Sequence, residues 1–482
     1  MRSLFYSLKL AAFDGKTRTV FILKPLRVLL IAALALGLAV PQTFAKSRKQ
    51  QVQERSGPNL IRDAEIEGLL RQYARPIFKA ARINPDSVKV YVIADDSINA
   101  FVAGGQRIFI NTGLFTKTKS YKEVIGVIAH ESGHIAGGHL AKMQNEADSA
   151  STERIIGMLL GAAAAVGGQA AGVQGAGQVG QGIMMGSQGV AQRRFLSYQR
   201  SMESSADQAA IKYLAATGND PSGMLSLFQK LASESISTTA DGDPYLYSHP
   251  MPLDRIRNLE VAVKQSPNFG KPEDPGQKLR YELVKAKIIG YMQGPQRVFQ
   301  RYPSSNTSLP ARYARAVAMY RRGDITNAIP VLDSLTSELP QNPYFWELKA
   351  QALQENGQPE RGLPSIVKAR ALLPDNGLMQ ILHAQLLLDT GGKANAQKAL
   401  KLLILAKRTE GNSPVIFKLQ AQAHAAMGDN ARAELATAEM AFSNGDRDLA
   451  VEKAKVAQDR FKRGTPEWLR ANDILTFAAK KN

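Results

Sequence analysis

His130-Glu131-Ser132-Gly133-His134 closes the run Val124-Ile125-Gly126-Val127-Ile128-Ala129, and the reading of these eleven residues decides the fold. Val124, Ile125, Val127 and Ile128 make the segment apolar enough to be buried. As a helix, its last turns carry histidines at i and i+4, on one face. Two imidazoles so placed can reach a single metal ion, the H-E-x-x-H arrangement. Glu131 then stands beside the same ion, where it can take a proton from water and later pass it to a leaving amine. The expectation is a Zn2+ site on a buried helix and a zincin-like α+β metallopeptidase domain.

Two histidines do not complete such a site, which needs a third protein ligand and an open place for water. Three residues compete for the third position. Glu203 lies in Met202-Glu203-Ser204-Ser205-Ala206-Asp207, on a helix expected to run to Leu214. Asp207, four residues on, shares its face and can orient a ligand histidine by accepting its other ring proton. On its own, Glu203-x-x-x-Asp207 would read as a solvated helix face; the motif upstream makes Glu203 a ligand candidate. His139 is the second. The pattern H-x-x-G-x-x-H is met at His134 and Gly137 but puts its last histidine at 140, where Leu140 stands. His249 is the third, on an extended His249-Pro250 step that could reach the site from a loop. It could be a removable fourth ligand or a donor to the tetrahedral oxyanion. Arg255, shortly after it, could position that loop or bind a substrate carbonyl. His383 and His424 fall in helical repeats and read as structural.

Outward from the motif, residues 59–81 space their apolar side chains as a helix does (Ile61, Ile66, Leu69, Leu70, Tyr73). Val88–Ile93 alternates like a strand. Phe101-Val102-Ala103 and Arg107–Asn111 flank Gly104-Gly105 as a hairpin would. The Gly-, Ala- and Gln-rich residues 157–191 separate the two ligand helices, as a flexible loop or as a mobile, methionine-bearing lid near the site. Pro272, Pro275 and Gly276 mark a linker. Beyond it, Gly323, Gly357 and Gly391 recur every 34 residues and Gly428 follows after 37. Ala316, Ala350, Ala384 and Ala421 each precede their glycine by seven, and Pro340 and Pro374 follow theirs by 17. Trp346 takes an early aromatic position. This period and phasing resemble tetratricopeptide repeats, with three residues inserted within 392–414 and degenerate or capping helices at 277–306 and 448–482.

The 482 residues exceed one ordinary core. The expected fold is mainly α: a signal peptide over 1–45, a zinc metallopeptidase domain over 46–270 and an all-α tetratricopeptide-repeat solenoid over 271–482. In the first 45 residues, Lys16, Arg18, Lys24 and Arg27 precede the apolar run Val28–Val40, and Thr43-Phe44-Ala45 offers a cleavage site. The run is short of the roughly 20 residues that span a bilayer, although an uncleaved anchor is the rival reading. The net charge of +19 falls to +14 without that leader. It suits either a solvated basic surface or peripheral contact with an anionic membrane or acidic partner. Nucleic acid is not an expected partner of an exported chain. Cysteine is absent, which excludes disulfides, a thiolate nucleophile and thiolate zinc ligands.

The set His130-Glu131-x-x-His134, Glu203-x-x-x-Asp207 and Ser248-His249-Pro250 resembles the CAAX prenyl-protease/HtpX-like zinc peptidases. So do Asn99-Ala100-Phe101, Gly104-Gly105 and Ile108-Phe109-Ile110-Asn111-Thr112-Gly113-Leu114, over roughly residues 60–260. The resemblance implies zinc held by His130, His134 and Glu203, with Glu131 as general base and Asp207 behind the ligands. It also implies a substrate-binding edge strand before the motif, to which an extended peptide would add as a further strand. With a leader and C-terminal repeats, the similarity narrows to an exported branch of that family. That branch implies a periplasmic endopeptidase acting on unfolded or misassembled outer-membrane proteins, in contact with the outer-membrane barrel-assembly machinery. A chaperone or scaffold with latched or vestigial proteolysis is the rival. The intact Glu131 argues against it, since a pure binder needs no general base.

Overall fold

The computed structural model describes residues 59–148, 189–237, 249 and 253–479. The expected leader, the polar segment after it and the Gly-rich stretch up to residue 188 lie outside the described residues. Nineteen helices and one four-stranded sheet make up the described part. No helix among them is long and apolar enough to cross a membrane.

The sheet runs β1 (Leu60–Ile61), β2 (Lys89–Ile93), β4 (Arg107–Asn111), β3 (Ala100–Ala103) across its width. β2 and β4 are parallel; the outer strands are antiparallel to their neighbours. The expected hairpin is β3–β4, and Gly104 (φ +56°) and Gly105 (φ +92°) supply the left-handed backbone of its turn. The expected helix over 59–81 is shorter. Leu60 and Ile61 pair with Ile93 and Val92, and α1 starts at Ala64 (Ala64–Ala80). Asp63 is the reason: extended itself, it accepts hydrogen bonds from the N–H groups of Glu65 and Ile66 and so sets the first turn.

After β4 come α2 (Thr112–Lys117) and α3 (Tyr121–Ala136), the motif helix, capped by Ser120. Then follow α4 (His139–Asp148), α5 (Gly189–Ala216), α6 (Ser222–Ser237) and α7 (Leu253–Lys264). α3 is buried along its length, and two glycines let neighbours approach it closely. A Cβ at Gly126 would stand 2.9 Å from the Met224 Cα on α6, and one at Gly133 would stand 2.8 Å from the Ala206 carbonyl on α5. Gly133, inside the motif, therefore brings the helices that carry His130 and Glu203 together.

The expected linker is shorter than its composition suggests. Asp274 caps α8 (Pro275–Met292), and Pro275 and Gly276 form its first turn, where a fixed proline φ is preorganised. Eleven further helices follow: α9 (Pro295–Arg301), α10 (Leu309–Arg321), α11 (Ile325–Glu338), α12 (Pro343–Glu355), α13 (Pro359–Leu372), α14 (Gly377–Thr390), α15 (Lys393–Glu410), α16 (Pro414–Met427), α17 (Asn430–Ser443), α18 (Arg447–Gln458) and α19 (Pro466–Ala479). They form a helical repeat-like region. Gly323, Gly357, Gly391 and Gly428 all have positive φ, each in the turn between two helices of a pair. Ala316, Ala350 and Ala384 are fully buried, while Ala421 is only partly so. The inserted residues fall in α15, which has 18 residues against 14 in α13. One apolar core runs from Ile61 and Ile66 through the motif helix to Phe345 and Leu353, so the repeats pack directly on the first region.

Candidate metal centre

α3 presents His130 and His134 one turn apart, α5 presents Glu203 and Asp207, and His249 enters from the segment before α7. His130 and Glu131 are fully buried, and Glu203, Asp207 and His249 nearly so. One donor atom each from His130, His134, Glu203 and His249 converges on a common point. His130 Nε2 lies 3.1 Å from His134 Nε2 and 3.2 Å from His249 Nδ1. Glu203 Oε1 lies 3.2 Å from His134 Nε2 and 3.1 Å from His249 Nδ1, and its Oε2 lies 3.3 Å from His130 Nε2. Donors about 2.0–2.1 Å from a tetrahedral ion stand about 3.3 Å apart. The spacing therefore fits such an ion, and the nitrogen-rich donor set fits a borderline cation.

The outer ring nitrogens of the three histidines also have close neighbours. His130 Nδ1 is 3.0 Å from Asp207 Oδ1, and His134 Nδ1 is 3.0 Å from His139 Nδ1. His249 Nε2 is 3.2 Å from the Ala100 carbonyl of β3, the strand at the sheet's edge. Both Glu131 oxygens are buried without a hydrogen-bond partner among the described residues. His249 Nε2 lies 3.5 Å from Glu131 Oε1. A fully buried carboxylate left open in this way is arranged for a group that arrives from outside.

The electrostatics differ from one histidine to the next, and burial lowers the pKa of His134. Burial opposes a charge on His130, but Asp207 and Glu203 outweigh it and push its pKa up to about 9. Burial works against the Glu203 carboxylate too, yet His249, His130 and His134 hold its pKa well below the usual range. Asp207 is likewise lowered, burial being overcome by Arg255 and His130. His139 goes the other way: burial and the neighbouring His134 push it down to about 4, so it stays neutral.

Of the three residues weighed for the third position, Glu203 and His249 both join the converging set. His139 does not: it is buried, but it meets His134 on the ring nitrogen turned away from Glu203. Arg255 does not face a substrate position; its guanidinium is buried against Asp207 and Glu203. Phe228 escaped the sequence reading altogether. Its ring meets that of His130 edge-on, at 5.6 Å between centroids, and nothing in a helical run of apolar residues distinguishes it.

A buried helix bearing H-E-x-x-H, with a carboxylate from a second helix completing the donor set, defines a metallopeptidase. Residues 61–263 match the model of peptidase family M48, and the chain carries a domain of that family. The similarity extends beyond this domain. The β-barrel assembly-enhancing protease of Yersinia pestis is 26% identical over 444 residues, covering 90% of this chain and 87% of that protein. The β-barrel assembly-enhancing protease of Escherichia coli (strain K12) is 23% identical over 450 residues, covering 89% and 88%. The chain is thus homologous to these proteases through its repeat-like region as well as its peptidase domain.

Proposed function

We propose that this chain is a periplasmic zinc endopeptidase that degrades misassembled outer-membrane proteins and assists outer-membrane β-barrel assembly. The observation that carries the peptidase reading is the four-donor set beside a buried, unbonded Glu131. The names of the two relatives support the substrate class and contact with the barrel-assembly machinery. The leader-like residues 1–45 support export, with the metallopeptidase domain over 46–270 and tetratricopeptide repeats over 271–482. The basic charge suits peripheral contact with an anionic membrane surface.

In this reading His130, His134 and Glu203 hold zinc, and Asp207 fixes the His130 ring. Zinc, when bound, polarises the scissile carbonyl and acidifies a water. Glu131 accepts the proton from that water and delivers it to the leaving amine. β3 is paired only with β4 among the described residues, and its free side suits an extended peptide adding as a further strand. His249 occupies the fourth corner and bonds to the same strand through Ala100, so it acts as a removable ligand that closes the site. This closed arrangement also suits the rival reading, a chaperone or scaffold with latched proteolysis.

The test compares zinc content and cleavage of an unfolded outer-membrane protein for wild type, Glu131→Gln and His249→Ala. Glu131→Gln is expected to retain zinc and to lose cleavage by roughly 10²- to 10⁴-fold, and His249→Ala to cleave faster than wild type. Zinc in every variant with no cleavage by any would favour the binding module instead. Slower cleavage by His249→Ala would make that residue an oxyanion donor.

A further inference from the structure

The geometry assigns Arg255 as the positioning residue of the metal centre, one guanidinium that sets both carboxylates of α5. This assignment rests on the zinc site proposed above. Arg255 stands in the first turn of α7, six residues after His249. Its Nε lies 2.6 Å from Asp207 Oδ2 and its Nη2 2.8 Å from Asp207 Oδ1. Its Nη1 lies 2.8 Å from Glu203 Oε2. Its guanidinium carbon sits 5.3 Å over the Phe228 ring, the ring that also meets His130. The side chain is 4% exposed.

Four consequences follow from this fork. Glu203 and Asp207 are like charges four apart on one helix face, a repulsive pair, and Arg255 neutralises it where water cannot. By engaging Glu203 Oε2, which also lies 3.1 Å from His249 Nδ1 and 3.3 Å from His130 Nε2, it fixes that carboxylate among the imidazoles. By gripping both oxygens of Asp207, it fixes the plane of the carboxylate that faces His130 Nδ1. The same bonds tie the start of α7, and the chain that leads back to His249, to the ligand helix. Only a planar, multi-donor cation spans both carboxylates; a lysine ammonium is a point charge on a flexible stem. Arg255 touches no reacting atom and acts through Glu203 and Asp207.

The test measures zinc affinity by competition with a chromogenic chelator, alongside thermal unfolding of the metal-free protein. It uses the full chain as wild type, Arg255→Lys, Arg255→Gln and the double variant Asp207→Asn/Arg255→Gln. The double variant replaces the buried ion pair with uncharged amides and leaves no Asp207 carboxylate unpaired. Each variant is expected to bind zinc roughly 10- to 100-fold more weakly than wild type. Arg255→Lys should recover much of the metal-free stability lost in Arg255→Gln without recovering affinity, a split that a merely structural role would not produce. Affinity within twofold of wild type in any folded variant, or affinity that simply tracks metal-free stability, overturns the assignment. Failure of all three variants to fold would place Arg255 in folding alone and overturn it equally. Absence of zinc binding by wild type would instead sink the metal reading on which this one stands.

Discussion

The cluster around His130 and the cluster around Lys287 are both buried groups of charge, yet they are balanced in different ways. At the second, on the face where the repeats meet α1, Lys287 Nζ lies 2.7 Å from Asp63, 3.3 Å from Glu65 and 4.0 Å from Glu347. The Tyr313 hydroxyl donates to Glu65 at 2.7 Å. Arg62 adds bonds to Glu67 and to Glu410 on the extended turn of α15. Burial opposes the charge on Lys287, but Asp63 and its neighbours raise its pKa well above the usual lysine value. This cluster is balanced mostly from within: Lys287 and the Tyr313 hydroxyl meet Asp63 and Glu65, while Glu347 Oε2 keeps only the 4.0 Å approach of Lys287. At His130 the donors instead point at one another, nitrogen to nitrogen, and Glu131 is left unbonded. Imidazole and carboxylate donors that converge on one point suit a cation from outside, whereas carboxylates around a lysine already have one. Buried charge alone therefore does not identify a functional site; imidazole and carboxylate donors that meet at one point do.

The comparison can be broken most forcefully at Lys287. Lys287→Met removes the cation shared by Asp63, Glu65 and Glu347 and is expected to cost about 3–5 kcal/mol, read by urea unfolding. A loss below about 1 kcal/mol would mean that the junction is not held by its own cation. Next comes metal. Zinc at a hundredfold excess over its Kd is expected to stabilise the protein by about 2.7 kcal/mol, and a chelator should reverse this. The same stabilisation should appear in a Lys287 variant that still folds, since that cluster takes no ion. An unchanged melting temperature with and without chelator would contradict the asymmetry.

Gly133→Ala is expected to cost about 1–3 kcal/mol, as overpacking does, and to weaken zinc binding. Its Cβ would press on the Ala206 carbonyl and part α3 from α5; zinc affinity at the wild-type level would show that the two helices need not touch. A further effect is that of pH at the junction. Burial holds the Glu347 carboxyl up to about 8, even with Lys287 beside it. Between about 4.5 and 8 the folded protein then binds more protons than the unfolded chain, so this group's contribution to stability is present at low pH and declines as pH rises. Glu347→Gln should flatten that decline, measured as unfolding free energy at pH 5 and pH 8. An identical slope would remove Glu347 as its source.

Much of the fold could be read before any contact was known. The β3–β4 hairpin was legible because Gly104-Gly105 breaks two alternating runs, and the repeat-like region because Gly323, Gly357 and Gly391 recur at a fixed period. β1 was not legible: two residues carry no periodicity, and only pairing with β2 makes Leu60 and Ile61 a strand. At the site, His130 and His134 were legible because their geometry is local to one helix turn. Glu203 was a candidate through its spacing to Asp207, on a helix that sequence alone could not align with the motif. Arg255 could be flagged but not interpreted, because its partners lie about fifty residues away on α5.

The amino-acid sequence by itself determined the chemistry available here: a helix with two histidines and a base, a carboxylate pair, no thiol, and a repeating helical C-terminal half. These are properties of spacing along the chain, and helix geometry converts spacing into facing. The tertiary structure alone decided which residues meet: that His249 rather than His139 joins the donor set, that Arg255 faces inward onto Glu203 and Asp207, and that the inserted turn of α15 reaches Arg62. Those choices depend on how closely α3, α5 and the repeats approach one another. Distances across a packed core are set by side-chain volume and by glycines such as Gly133, not by any pattern read along one chain.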